Sequence, residues 1–313
     1  MTQTDWTLPA SGIYVNDRIA YSQLGYGTWQ SSPGEVASGI FEALRVGYRH
    51  LVCFTYGNQL EVAQGLQKAF KEIPGLRRFR QHNPDECLDE LGLDYLDAQT
   101  SEHVGKDLFP LTENGDVAID DGVSIVETWK AMTKLPKSNA RSIGVSNHTI
   151  EQLEAIIKAT YVVPAANQVE RHPLLRQDDL VAYCKDKNIH LTAYSAFGNN
   201  MFNIPLLFSH PAIQGLAEKL STENGTIITP AQILLSWAQN GGHGVIPKSV
   251  TPVRIAENYN EITMSDDDIR VVESIGEKQQ RYNVPYVANG PRWDVDIAFT
   301  IMRESTNTSR NMS

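Results

Sequence analysis

The chain has 313 residues, of which 41% are apolar, and its 27 basic and 37 acidic residues give a net charge of -10. This composition is sufficient for a large hydrophobic core in one or two domains. An acidic chain without a long basic run is not expected to bind nucleic acid or an anionic membrane surface.

The first quarter of the chain predicts alternating strands and helices. Residues 12–22 alternate apolar and polar around a turn, which is typical of a small β-hairpin. The stretch YSQLGYGTWQ (21–30) predicts a strand, and a helix follows over about 35–44. RHLVC (49–53) predicts a second strand, and the apolar spacing predicts a helix over 59–71.

The alternation weakens after residue 72. A third buried strand should be a nearly continuous apolar run. LRRFRQ (76–81) instead has two apolar residues among three arginines, although a helix is predicted over 84–91. YLDAQTSEH (95–103) begins as a strand and then turns polar. We therefore expect the third β-α unit to be truncated or degraded.

The alternation resumes in the remainder of the chain. Strands are predicted at 141–147, 166–170, 189–195 and 244–249. Helices are predicted near 122–134, 150–158, 177–186, 230–239, 252–258 and 266–276. Close to eight β-α units result, and no repeat or linker divides them. The prediction is an α/β fold, a single (β/α)8 TIM-type barrel over residues 1–303 with an N-terminal hairpin, whose site lies at the C-terminal strand ends. Residues 304–313 form a polar tail that we expect to be disordered.

Cysteine usage and the N-terminus indicate the compartment. The three cysteines are odd in number and widely spaced, without a CxxC pair, which favours a reducing compartment and predicts no metal site. The first residues lack a secretory signal, and no stretch approaches the length of a membrane span. We therefore expect a cytoplasmic protein.

The segment VIPKSVTPVRIAEN (245–258) predicts a phosphate-binding site. A short strand ends at Pro247, and a loop with Lys248 and Ser249 precedes a helix that carries Arg254. Backbone N–H groups at a helix N-terminus favour an anion, and arginine offers a planar fork to its oxygens. Taken alone, the lysine and hydroxyl groups also fit an ordinary surface turn with solvated charges.

Several motifs occur in an order that resembles one known family. They are GTWQ (27–30), GYRH (47–50) followed by TYGN (55–58), LGLDYLD (91–97), SIGVSN (142–147), NQVE-x-HP (167–173), TAYS (192–195) and IPKSVTP-x-RI-x-EN (246–258). With these motifs the chain resembles the aldo-keto reductases, and YNVPYVANGPRWDV near its end resembles fungal members. The resemblance implies a (β/α)8 barrel that binds NADP(H) without a GxGxxG motif, and no such motif is present.

The resemblance assigns a cofactor role to residues in four groups. For the 2′-phosphate and adenine these are Lys248, Ser249, Val250, Thr251, Arg254, Glu257 and Asn258. For the nicotinamide they are Ser146, Asn147, Gln168 and the stacking ring of Tyr194. For the pyrophosphate loop they are Ser195, Ala196, where the family usually has proline, and Phe197. Gly27, Thr28 and Trp29 complete the set. Paired positive charge at Lys248 and Arg254 favours NADP(H) over NAD(H).

The catalytic side departs from the family pattern. The family uses a tyrosine as proton donor, a lysine that lowers its pKa, an aspartate that pairs with the lysine, and a histidine that orients the substrate. Tyr56 matches the tyrosine, but Val52 stands in the place of the aspartate and the lysine segment is absent. Glu102 falls on the histidine position and His103 follows it, so the acid–base candidates are Tyr56, Glu102 and His103.

These departures leave several functions open. The first is an NADP(H)-dependent enzyme acting on a small carbonyl compound, as in secondary metabolism, with impaired standard reduction or a redox-neutral step such as cyclisation, isomerisation or dehydration. The second is a noncatalytic NADP(H)-binding sensor or scaffold. The third is an impaired gene product. The sequence predicts neither the substrate nor the oligomeric state.

Overall fold

The computed structural model describes residues 12–14, 20–29, 31–52, 57–76, 96–100, 123–138, 140–199 and 205–283. The predicted N-terminal hairpin is confirmed. Strand β1 (Gly12–Tyr14) pairs antiparallel with β2 (Ala20–Ser22), and Ile13 lies opposite Tyr21.

Seven further strands follow and pair in parallel. They are β3 (Tyr26–Gly27), β4 (Leu51–Val52), β5 (Leu96–Thr100), β6 (Ala140–Ser146), β7 (Ala166–Glu170), β8 (His190–Tyr194) and β9 (Gly244–Val245). Parallel strands need long crossover connections, and the intervening helices supply them. The strand at 244–249 is shorter than predicted, because Pro247 has no N–H to continue the ladder.

The parallel strands form one continuous sequence of neighbours. Strands β5 to β9 lie side by side in chain order, and β3 pairs with β4. A bridge between Leu24 and Val245 joins the two groups, and the N–H of Gly27 donates to the carbonyl of Pro247 at 3.0 Å. The closure between β4 and β5 and the predicted third β-α unit lie in residues 53–56 and 77–95, outside the described residues. The shortened unit therefore stays a prediction.

Nine α-helices are described, and eight of them were predicted. They are α1 (Val36–Val46), α2 (Gln59–Glu72), α3 (Ile125–Met132), α4 (Ile150–Thr160), α5 (Asp178–Asp186), α6 (Pro211–Asn224), α7 (Pro230–Gln239), α8 (Pro252–Tyr259) and α9 (Asp266–Ser274). The sequence interpretation missed α6, although Pro211 at its start and Gly225 after its end are typical helix boundaries. A 3-10 turn (Leu207–Ser209) precedes it.

Local sequence explains where four of these helices begin. A capping box, in which the N-cap hydroxyl and the side chain three residues later exchange hydrogen bonds with the backbone, satisfies two N–H groups that lack helical partners. The pairs are Ser124 with Glu127, Thr149 with Gln152, Thr229 with Gln232 and Ser265 with Asp268.

The hydrophobic core lies between the strands and the helices in two clusters. One includes Ile40 of α1, Ile233 of α7 and Val245 of β9. The other includes Trp129 of α3 and Leu153 of α4, which pack near β6 to β8. The first four residues of β8 are all buried, as expected for a parallel strand covered on both faces. The helices therefore fix the strands from outside and leave the strand ends to form a site.

Candidate cofactor and active site

The candidate site lies where the parallel strands end. Ser146, Tyr194 and Gly27 are the last residues of β6, β8 and β3. Gln168 pairs with Ser146 in the register between β6 and β7. Because the strands are parallel, these residues meet at one edge of the barrel. The structure thus brings together residues that the sequence separates by more than a hundred positions.

Hydrogen bonds join four of the predicted nicotinamide-binding residues. The Ser146 hydroxyl donates to the Gln168 carbonyl at 2.9 Å. The backbone N–H of Asn147 donates to the same carbonyl at 2.9 Å. The Tyr194 hydroxyl donates to Asn147 Oδ1 at 2.9 Å, which links the ends of β6 and β8. The result is one connected set of amide, hydroxyl and aromatic groups, which can both donate and accept hydrogen bonds.

Two residues of this edge adopt left-handed backbone conformations. Asn147 has φ 57° and Ser195 has φ 52°. Side chains other than glycine disfavour this region, and such conformations persist only where surrounding contacts hold them. The buried Asn167 holds the residue that follows Asn147, since its amide donates to the His148 carbonyl at 2.9 Å. Strand ends held in this way are typical of binding sites.

The loop after β8 continues from Ser195. Ala196 is buried, so its small side chain packs into the core where the resemblance implies a proline. Phe197 is partly buried and meets the ring of Phe208 edge to face, with centroids 6.2 Å apart. The loop therefore has an apolar inner side, while Ser195 and Gly198 stay partly exposed.

The predicted phosphate-binding segment joins β9 to α8. Lys248, Ser249 and Val250 are partly buried, whereas Thr251 and Arg254 are exposed. The Ser249 hydroxyl accepts a hydrogen bond from the N–H of Thr251, the N-cap of α8, at 3.2 Å. On the same helix Asn258 is buried and Glu257 is partly buried.

Charge at this segment suits an anion. Partial burial lowers the pKa of Lys248, while nearby Glu35 acts in the opposite direction. A partly desolvated cation beside a helix N-terminus gains more from an anion than a fully hydrated one does. The arrangement agrees with the predicted phosphate site, and cofactor binding at these residues stays a prediction.

Strand β3 lies directly beside this segment. A Cβ on Gly27 would lie 3.3 Å from the Ile246 carbonyl oxygen, so glycine permits close approach to the segment that carries Lys248. Thr28 is buried, and its hydroxyl donates to the Val52 carbonyl at 3.1 Å. Asn58 donates to the Thr28 carbonyl at 3.0 Å, and Asn58 Oδ1 is buried without a hydrogen-bond partner among the described residues. Trp29 is partly buried beside them.

Of the positions considered for catalysis, the structure describes only Val52. Val52 ends β4 opposite Gly27, and its side chain carries no ionisable group. Tyr56, Glu102 and His103 lie outside the described residues, as does the segment in which the family's lysine was expected. Their roles stay predictions. No cluster of acidic, histidine or cysteine side chains able to hold a metal ion occurs within the described ranges.

Several polar residues that support this edge were missed by the sequence interpretation. The Tyr26 hydroxyl donates to the Ser249 carbonyl at 2.5 Å, and burial raises the pKa of Tyr26 above its usual value, so it remains a donor. Glu170 and Asn283 form a second set, described below. Glu170 belongs to the NQVE-x-HP motif together with its neighbour His172, and this was the only signal available, because Tyr282 and Asn283 lie more than a hundred residues away.

Comparison with known proteins identifies the family to which this chain belongs. A sequence profile of the Aldo/keto reductase family matches residues 77–277. The chain belongs to this family. It is 50% identical over 309 residues to a D/L-glyceraldehyde reductase of Hypocrea jecorina, covering 91% of this chain and 93% of that protein. It is 35% identical over 306 residues to Aldo-keto reductase family 1 member A1 of Xenopus tropicalis, covering 88% of this chain and 90% of that one.

Solved structures agree with the family. An aldose reductase from Schistosoma japonicum superposes with a TM-score of 0.76 at 29% identity, covering 87% of this chain and 94% of that chain. An aldose reductase from Giardia lamblia gives a TM-score of 0.73 at 29% identity, covering 84% and 95%. The α/β fold predicted from the sequence, a (β/α)8 barrel, is confirmed.

The family membership fixes the class of chemistry. These relatives are oxidoreductases that act on small molecules, and aldo-keto reductases generally use NADP(H). The described part of the chain has no helix long and apolar enough to cross a membrane.

Proposed function

We propose that this chain binds NADP(H) at the C-terminal edge of the barrel and uses it on a small carbonyl-containing substrate. The observation that carries the proposal is the hydrogen-bonded set of Ser146, Asn147 and Tyr194, at the same edge as Lys248. Amide, hydroxyl and aromatic groups suit a nicotinamide, and cations suit a phosphate. A dinucleotide contains both chemical groups, so its nicotinamide would bind beside Ser146, Asn147 and Tyr194 and its phosphate beside Lys248.

In this proposal the two groups of residues bind different parts of the cofactor. Lys248 and Arg254 bind the 2′-phosphate and so favour NADP(H) over NAD(H). Asn147 and Gln168 bind the carboxamide, and the Tyr194 ring stacks on the nicotinamide. When bound, this cofactor supplies a hydride for a carbonyl carbon or accepts one from an alcohol. The remaining cofactor contacts follow the set named from the resemblance.

A short hydroxyaldehyde is the proposed substrate class. The 50% identical relative is named for the reduction of D- and L-glyceraldehyde, and the match covers 91% of this chain. Such a substrate needs only a small pocket beside the nicotinamide. We further propose that residues 1–303 form one domain followed by a polar tail, and that the protein is cytoplasmic and binds neither nucleic acid nor membranes.

Val52 is the basis for a finer proposal about rate. A valine cannot pair with a lysine, and the sequence has no lysine between Lys71 and Lys106. A tyrosine without a neighbouring cation has a pKa of about 10, which makes it a poor acid at neutral pH. Acid–base assistance is worth roughly two to four powers of ten, so we propose that standard carbonyl reduction is slow. The same edge also suits a redox-neutral step with Tyr56, Glu102 and His103 as acid–base groups.

Val52 also favours a second candidate, a noncatalytic NADP(H)-binding protein. Loss of the acid–base groups with retention of the cofactor groups is the pattern expected of a sensor or scaffold. This candidate and the enzyme share the cofactor site and differ only in turnover.

One experiment separates these candidates. Purified protein is titrated with NADPH by calorimetry and then incubated with D- or L-glyceraldehyde, while cofactor absorbance and products are followed. Slow NADPH oxidation supports the slow reductase, and product without NADPH oxidation supports the redox-neutral step. Fast oxidation that Tyr56→Phe abolishes contradicts impaired catalysis. Binding without product supports the noncatalytic candidate, and absence of binding contradicts the whole proposal.

A further inference from the structure

Glu170, the last residue of β7, is a buried carboxylate with several donors. Its relative exposure is 0%. The N–H groups of Tyr282 and Asn283 donate to its two oxygens at 2.6 and 3.0 Å. His172 Nε2 lies 2.9 Å from Oε1, and Arg281 Nη1 lies 3.8 Å from Oε2. A buried charge is tolerated only with such compensation.

Glu170 is ionised at neutral pH. Burial alone would raise its pKa, but the hydrogen bond and charge of His172, the N–H of Tyr282 and the charge of Arg281 outweigh burial and hold the pKa below its usual value. An ionised carboxylate can only accept hydrogen bonds. Glu170 therefore fixes the backbone of residues 281–283 against the end of β7.

The side chains of the same segment reach the loop after β8. Asn283 Nδ2 donates to the Ser195 hydroxyl at 3.0 Å. Asn199 Nδ2 donates to Asn283 Oδ1 at 2.7 Å. The ring of Tyr282 is buried and approaches Gly198, where an added Cβ would lie 3.1 Å from it. Asn283 thus holds both ends of the loop 195–199 at once.

A contact that only attached residues 281–283 to the barrel would need the Glu170 bonds and no more. The Asn283 side chain instead binds the hydroxyl of Ser195, whose backbone is left-handed with φ 52°. A strained residue keeps its conformation when neighbouring contacts over-determine it. Ser195 also directly follows Tyr194, the proposed nicotinamide-stacking ring.

We propose that Glu170 and Asn283 are positioning residues that hold the loop 195–199 in the conformation that retains the bound dinucleotide. The inference rests on the proposed function, because the loop matters in this way only if NADP(H) binds beside it. Glu170 fixes the backbone position of residue 283, and the Asn283 side chain fixes Ser195 and Asn199 through its hydrogen bonds. Neither residue needs to touch the cofactor.

Two ligands test this inference. NADPH reaches both the phosphate segment and the loop, whereas 2′,5′-ADP carries the adenosine phosphate and lacks the nicotinamide half. The dissociation rate of NADPH is measured by stopped-flow fluorescence, the affinity for 2′,5′-ADP by calorimetry, and the melting temperature by calorimetric scanning. Asn283→Ala should speed NADPH dissociation roughly tenfold, as expected for two lost hydrogen bonds, and leave 2′,5′-ADP affinity unchanged.

Further variants separate positioning from folding. Asn283→Asp keeps the acceptor for Asn199 and loses the donor to Ser195, so we expect an intermediate dissociation rate. Asn240→Ala, an exposed asparagine before β9 at the opposite end of the barrel, is the matched control and should leave the rate unchanged. If Asn283 acts through Ser195, the two substitutions should not add. A variant with both Asn283→Ala and Ser195→Ala should then release NADPH no faster than the faster of the two single variants.

The outcomes distinguish the two proposals. Unchanged NADPH dissociation in a folded Asn283→Ala protein overturns the inference, as does an equal loss of affinity for both ligands. If Asn283→Ala does not fold, Asn283→Asp decides in the same way. Failure of the parent protein to bind either ligand overturns the proposed function and this inference together. Binding of both ligands by the parent protein, with equal NADPH dissociation in all variants, overturns the inference alone.

Discussion

The two ends of the parallel strands use polar residues in opposite ways. At the C-terminal ends, Asn147, Tyr194 and Ser195 are partly exposed, and two of them have left-handed backbones. At the N-terminal ends, His50 and His190 flank strands β4 and β8, and His243 precedes β9. Burial lowers the pKa of these histidines to about 4, about 3 and about 4. Of these three only His190 is buried, while His50 and His243 are partly buried. One end therefore presents polar groups, whereas at the other, the enclosed end, burial favours neutral histidines.

Two glycines make room for the enclosed rings. A Cβ on Gly25 would lie 2.5 Å from His50 Nδ1, and one on Gly244 would lie 2.8 Å from His190 Nε2. His50 Nδ1 is also 3.1 Å from the Ser22 carbonyl. The comparison teaches that polarity alone does not mark a function in this barrel. Exposure and the direction of the strands decide which end can bind a ligand.

Acidification should produce the largest effect, because it acts on the enclosed end. Each histidine has an ordinary pKa of 6.5 and a lower folded value, so between pH 6.5 and about 4 the unfolded chain binds more protons. Stability is complete above pH 6.5 and falls as the pH drops through this window. Across this window of about 2.5 units the change is worth about 3 kcal/mol for each histidine.

Urea unfolding at several pH values measures this effect. His190→Gln should flatten the pH dependence by removing one of the histidines with a lowered pKa, a set that also includes His148. The carboxylates with lowered pKa, such as Glu170 and Asp268, begin to lose their contribution only below about pH 5, so the effect of the histidines is measured between pH 6.5 and about 5. A free energy of unfolding that stays constant from pH 6.5 to 4 would contradict the proposed neutrality of these histidines.

Removing both cations of the phosphate segment should have the next largest effect. Lys248→Ala with Arg254→Ala should weaken NADPH binding about a hundredfold, since charged hydrogen bonds contribute about 1.5–3 kcal/mol each. NADH affinity should change little, because NADH lacks the 2′-phosphate. Fluorescence titration with both cofactors checks the ratio. Lys158→Ala, an exposed lysine in the last turn of α4, is the control.

A methyl group at the enclosed end should cost stability without affecting the cofactor. In Gly244→Ala the new Cβ meets His190 Nε2 at 2.8 Å and Thr192 Oγ1 at 3.1 Å. Overpacking of this kind costs about 1–3 kcal/mol. Thermal unfolding should show the loss, while NADPH affinity of the folded protein should match that of the parent. A changed affinity would mean that the two ends are coupled.

Loss of one hydroxyl at the open end should give the smallest effect. Tyr194→Phe keeps the ring and removes the hydrogen bond to Asn147 Oδ1. A neutral hydrogen bond contributes about 1 kcal/mol, which corresponds to roughly a fivefold loss of NADPH affinity. Calorimetric titration measures it, and Tyr161→Phe, an exposed tyrosine after α4, is the control. Equal affinities for both variants would show that the hydrogen bond between Tyr194 and Asn147 does not contribute to NADPH binding.

Much of the fold could be predicted because its signals are local. The strand predicted at 166–170 is β7, and the helix predicted at 230–239 is α7. Capping boxes and apolar spacing lie within a few residues and need no tertiary information. The helix α6 was missed although Pro211 and Gly225 bound it. Residues of the candidate site were predicted less directly, since their roles came from resemblance to a family.

The sequence alone determined the family and the alternation of elements, and it predicted a phosphate-binding segment, because these depend on short motifs and periodic burial. Only the tertiary structure decided that Glu170 meets Asn283, that Ser195 is held in a left-handed conformation, and that burial lowers the pKa of the histidines at the N-terminal ends of the strands. These features depend on residues that lie far apart along the chain and on the exclusion of water around them. No short sequence pattern records the long-range contacts or the exclusion of water, because both arise only when the parallel strands pair in register.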